Sequence, residues 1–119
     1  RNWKGGLVSL INKLVIDTLK PLGVPVGFQK YSGTEATYIT FHEYLQSGEE
    51  FEEDAEVFTG HYVQVDVWSK ADYTTLTSNI KALLIAAGFQ RLNEADFYEP
   101  DTGLYHKGLK FYYLESKEV

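Results

Sequence analysis

The side chains with the chemistry to act are unevenly spread along the chain. Between positions 49 and 56, six of eight residues are carboxylates, Glu49, Glu50, Glu52, Glu53, Asp54 and Glu56, with Phe51 among them. Two carboxylates do general acid–base work only when packing holds them and pushes their proton affinities apart, whereas a consecutive series is solvated and repels itself. Calcium asks for oxygen ligands at set spacings around a turn glycine, and EEFEED has no such order. The plain reading is a solvated loop. The functional one is a displayed tip that meets a partner or makes a surface electronegative, and Phe51, an apolar anchor amid acids, favours it.

Three histidines, His42, His61 and His106, lie in β-forming runs, and strands can bring distant residues to one metal. No HxH or HExxH pair supports that, and each follows the alternation of its own strand, so they read as solvent-facing or half-buried. No GxSxG elbow surrounds Ser9, Ser32, Ser47, Ser69 or Ser78. Gly5-Gly6 precedes a helix without the strand, later glycines or Lys-Ser/Thr of a phosphate loop. There is no cysteine, which excludes a disulfide, a thiolate metal site and a thiol nucleophile. Nothing here argues for catalysis, a metal or a cofactor.

The 119 residues suit a single domain over 1–119, large enough for a core without staples. Apolar residues at 44% and aromatic ones at 15% are those of an ordered globule. The net charge of −6 is owed to the one acidic run, since outside it 11 acidic residues face 11 basic ones. Without a Lys/Arg cluster, tight binding of nucleic acid is not expected. No window approaches the ~20 apolar residues of a membrane span, and the opening RNWKGGLVSL lacks the apolar centre of a signal peptide. The expectation is a protein made in the cytoplasm.

The elements follow from periodicity. Leu7, Leu10, Ile11, Leu14, Val15, Thr18 and Leu22 share a helical face, and KPLG stops it, which predicts a helix over 4–19. Residues 24–29 read as a short strand or an extended connection, weakened by Pro25 and Gly27. Residues 37–46 alternate Ile39, Phe41 and Leu45 against Tyr38, Thr40, His42 and Tyr44. Residues 57–68 alternate Val57, Thr59, His61, Val63, Val65 and Val67 against Phe58, Tyr62, Gln64, Asp66 and Trp68. Together they predict an antiparallel hairpin, its valine face on the helices. Ser69 as N-cap, the stripe Tyr73, Leu76, Ile80, Leu83, Leu84, Ala87 and Gly88 at the end predict a helix over 71–87. FQRL and DFYE read as short extended pieces, and 104–115 as a closing strand after the PDTG turn.

The fold class is α+β, an antiparallel sheet with a long β-hairpin packed against two helices, in the order α-β-β-α-β or α-β-β-α-β-β. Twelve strand residues span roughly 40 Å, against a diameter of about 35 Å for a globule of this length. The hairpin should therefore overhang the body, with Gly60 at the bulge or bend where it leaves. Nine Tyr, seven Phe and two Trp fall on both strand faces. Either tyrosines cover the sheet with their hydroxyls wet, or Tyr38, Tyr44, Tyr62, Trp68 and Tyr112 belong to a face buried against another subunit.

YITFHEY, an acidic spacer, VQVDVWSKADYTTLTSNIKALLIAAGF and DFYEPDTGLYHKGLKFYY together resemble the small tail-completion or tail-terminator (head-tail joining) proteins of long-tailed bacteriophages and prophages. The likeness runs from about Thr37 to Leu114, most distinctively at VDVWSKADY. It implies a virion subunit made in the bacterial cytoplasm that assembles into a ring, commonly a hexamer. That ring would cap the tail tube, touch the major tail tube protein and the head connector or head-closure protein, and let genome DNA pass without specific binding. Loops vary within that family, so the acidic tip has no role by analogy. A head-closure or other neck adaptor is a neighbouring reading. From a different class comes an acidic DNA-mimic inhibitory module, against which the balanced remainder of the chain argues. An enzyme reading would gain from a metal found in the purified protein or a deep pocket collecting His42, His61 and His106.

Overall fold

The computed structural model describes residues 9–51 and 56–117, and only the backbone of Glu49, Glu50, Phe51, Glu56, Val57 and Lys117. Helix α1 (Leu10–Leu19) starts where Ser9 Oγ accepts the Asn12 N–H at 3.1 Å. It tightens into a 3₁₀ turn (Lys20–Leu22) and stops at Gly23, whose φ of 71° suits glycine. The first part of the expected helix, residues 4–8, lies outside the described residues. Ile11, Val15 and Leu19 are buried, while Leu10, expected on the same face, is 63% exposed.

Strands β1 (Val26–Phe28), β2 (Thr37–Phe51) and β3 (Glu56–Ser69) precede helix α2 (Thr74–Ala86), and β4 (Gln90–Glu99) and β5 (Leu104–Lys117) follow it. The five-stranded sheet runs β1-β2-β3-β5-β4. Four strands are antiparallel neighbours, as expected, and the stretch left open between strand and connection is β1, parallel to β2 at its edge. It leaves that edge at Gln29, whose φ is 70° while its N–H still bonds Phe41 C=O. FQRL and DFYE belong to one strand, β4, kept continuous by an irregularity between Arg91 and Glu94.

Both described helices cover one face of the sheet. Ile39 and Phe41 of β2, Val63, Val65 and Val67 of β3, and Leu109 and Phe111 of β5 join Ile11, Val15, Leu19, Ile80 and Leu84 in one buried cluster. Each such side chain contributes about 1.5–3 kcal/mol by leaving water. The expected valine face is therefore the core face. Helix α2 begins later than the expected 71–87. Ser69 Oγ accepts Ala71 N–H instead of capping the helix, and Asp72 takes the N–H and hydroxyl of Thr74.

The register corrects two points. The bulge lies at Tyr44, between Glu43 and Leu45, whereas Gly60 is buried and paired in line with Ser47 and Leu114. Below the bulge the parity of β2 flips, so Leu45 meets Tyr62 on the face that is helix-free among the described residues, and it is 53% exposed. The longest extent is 52 Å against 32 Å for the next, so the sheet does overhang its body. The projecting arm has three strands, because β5 follows β3 out to the pair Val57 and Lys117.

Candidate functional site

Alternation along β3 puts Tyr62, Gln64, Asp66 and Trp68 on the face opposite the helices, and the register brings matching side chains beside them. A row of rings crosses this face. Tyr31 stacks on Tyr38 at 4.4 Å, Tyr38 lies 6.1 Å from Trp68, Trp68 stacks on His106 at 3.9 Å, and His106 lies 5.3 Å from Phe97. Nearer the arm a second row joins Tyr44, Tyr62 and Tyr112, with centroids 6.0 and 4.8 Å apart. The five aromatic residues singled out in the sequence, Tyr38, Tyr44, Tyr62, Trp68 and Tyr112, thus share one face.

Between the rows the polar groups bond to one another. Asp66, 5% exposed, accepts from Gln64 Nε2 at 2.8 Å and pairs with His106 Nε2 at 2.7 Å. Trp68 Nε1 donates to Thr40 Oγ1 at 3.0 Å, and Lys110 Nζ sits 4.9 Å above the Tyr44 ring. Gly108 makes room for this cluster, since a Cβ there would stand 3.2 Å from Asp66 Oδ1 and 3.3 Å from Gln64 Nε2. With its polar atoms already paired, the face loses little hydration when another protein covers it. Phe97, at 53% exposure, and the exposed Tyr44, Leu45 and Leu114 supply apolar area on it.

Two open hollows indent the face, one of about 230 Å³ beside Tyr31, Tyr38 and Trp68, one of about 190 Å³ beside Phe97, Gly108 and Lys110. Neither gathers the histidines. His61 is buried on the helix side, and His42 and His106 lie across the sheet from it, about four residues apart along β3, roughly 13 Å. Among the described residues, no group of three or more His, Cys, Asp or Glu side chains could hold a metal ion. The expected solvent-facing or half-buried state fails for His61, which is 4% exposed, because β5 and β2 each aim a glutamate at its ring.

On the helix side, β4 is tied to α2 by charge. Lys81 bonds Glu94 at 3.1 Å, Lys107 reaches Asp96 at 3.2 Å, and the Tyr73 hydroxyl donates to Asp96 at 2.8 Å. Burial raises Glu94, but the bond and charge of Lys81 with the charges of Lys107 and Arg91 outweigh it and hold it below its ordinary range. Bonds from Tyr73 and Lys107 hold Asp96 low, while burial and then Asp96 push the Tyr73 phenol up to about 12.

Of the acidic tip, Glu52, Glu53 and Asp54 lie outside the described residues, as do the side chains of Glu49, Glu50, Phe51 and Glu56. Backbone pairing reaches Phe51 opposite Glu56. Sequence reading missed Tyr31, Phe97 and the Asp66–His106 pair. Asp66 inside the apolar run VQVDVW was the available signal.

No protein-family model matches the chain. No curated protein matches it either. Among solved structures, it is similar to a chain of the virion of a native gene transfer agent particle, with TM-score 0.57 and 13% identity over 87% of this chain and 84% of that one. The likeness is one of fold.

Proposed function

We propose that the chain is a structural virion protein that forms a ring at the head-proximal end of a phage tail tube, ends the tail and joins it to the head connector. The observation that carries this reading is the helix-free face, where aromatic rows flank polar groups that satisfy one another. Such a surface suits burial against protein. Two pointers of different origin agree with it: the sequence resemblance to tail-completion proteins, and the fold shared over most of both chains with a virion chain.

In this reading the faces meet neighbouring copies, and the arm carries six carboxylates outward. Lining a bore, they would repel DNA phosphates. Turned outward, they would grip the tube protein or connector. Particles containing this chain decide the matter: electron microscopy with a labelled chain should find it as a ring at the tail's head-proximal end. A particle that holds it elsewhere, or as a lone copy with its aromatics in water, overturns the reading. Changing Glu49, Glu50, Glu52, Glu53, Asp54 and Glu56 to amides tests the tip. Unchanged assembly, tail joining and DNA passage would remove it from the function.

A further inference from the structure

We propose that Glu43, His61 and Glu115 form a proton-operated latch at the root of the arm. The last strand pair that β4 makes on this side is Gln90 with Tyr112. His61, opposite Gln46 on one side and Tyr113 on the other, sits at the next level, where β2, β3 and β5 continue without β4. Its side chain is 5% exposed, with Glu43 and Glu115 at 19% and 29%.

Ring atom Nδ1 is 2.5 Å from Glu43 Oε2 on β2, and Nε2 is 2.7 Å from Glu115 Oε1 on β5. Ionised carboxylates only accept, and a neutral imidazole has one N–H. With both carboxylates ionised, both contacts are hydrogen bonds only when the ring carries two protons, which makes it a cation between two anions joined by charge-assisted bonds. Turning the ring over changes nothing, since each nitrogen still meets a carboxylate. The titratable groups facing the ring are Glu43 from β2, and Glu115 and Tyr113 from β5, the last with its ring centroid 6.5 Å away. Gln46 Nε2 steadies Glu43 from the same strand, at 3.2 and 3.3 Å from its two oxygens.

Removing the second proton points a nitrogen lone pair at a carboxylate and leaves two anions facing each other across the ring with no cation. One of the two side-chain ties from β3 to its neighbours is then lost, and the backbone ladders hold the arm alone on that side. The latch therefore stabilises the arm while the proton is held, and that contribution is lost as pH rises through its release. The latch goes beyond the ring reading and belongs to the isolated chain.

Nitrogen-15 NMR of the whole labelled chain tests it. Wherever the arm is protected, both His61 ring nitrogens should carry protons. Raising the pH until the ring loses one should speed amide exchange at Gly48, Thr59, Gly60 and Leu114 by about tenfold relative to Val65 and Leu109, after correction for base catalysis. His61→Gln should show fast arm exchange at every pH. If that variant does not fold, Glu115→Gln keeps an acceptor and should loosen the arm at a lower pH than the parent. A neutral His61 ring in a chain whose arm is still protected, or arm exchange that follows Val65 and Leu109 throughout, overturns the latch. Neither readout involves assembly, so failure here leaves the virion reading standing.

Discussion

Asp66 shows how one missing methyl group organises a surface. It lies in a strand of valines, and the space above it exists because residue 108 has no Cβ. Gly108→Ala should push Asp66 or Gln64 aside and cost about 1–2 kcal/mol, read from the denaturation midpoint; an unchanged midpoint would mean that the two side chains give way freely. Asp96 makes a second prediction. Held below its ordinary range in the folded chain, it stabilises the fold above the usual carboxylate range, and that share is lost as pH falls through its lowered value. Asp96→Asn should therefore lower the thermal midpoint slightly near neutrality and leave it unchanged at low pH, which flattens the acid limb; the effect is small because the group is 63% exposed. At this scale the sequence says least: whether a histidine is wet or clamped depends on which residues of β2 and β5 stand opposite it, and only the register decides that.

Elements were more legible than pairings. The two helices and the long hairpin rest on local periodicity, which the chain carries in consecutive residues, and they form where expected apart from their ends. What was not legible is non-local. The parallel seat of β1 depends on Ile39 and Phe41 lying beside it. The bulge at Tyr44 inverts the parity of Leu45, though alternation alone gave no sign of it. Gly60 invited the bulge by its residue type, yet it continues the ladder as a buried residue between Ser47 and Leu114. Two substitutions probe element ends. Ser9→Ala removes the acceptor for Asn12 N–H and should lower stability by about 1 kcal/mol in chemical denaturation. Gln29→Gly should raise it by about 0.5–1 kcal/mol, because a left-handed turn costs a side-chain-bearing residue more than glycine. A loss there would mean that the Gln29 side chain contributes more than its backbone costs.

For the whole molecule, the proposed ring gives the helix-free face a part in assembly and not in folding. Phe97 and Tyr44 are exposed on it, so Phe97→Lys with Tyr44→Lys should change the unfolding free energy by under about 1 kcal/mol, and on the proposed reading should abolish the higher oligomers of the parent in native mass spectrometry. Oligomers that persist would separate the aromatic rows from the proposed ring.

The sheet order carries a consequence for synthesis. The last strand in the chain, β5, lies between β3 and β4, pairing residues as distant as Val57 and Lys117. While a ribosome is still making that strand, one side of the valine-rich β3 has nothing to pair with, and the nascent chain holds a bare hairpin. Translation that stalls before residue 104 should release a sticky product that clumps or is degraded, so the molecule matures only after nearly all of the described chain has been made.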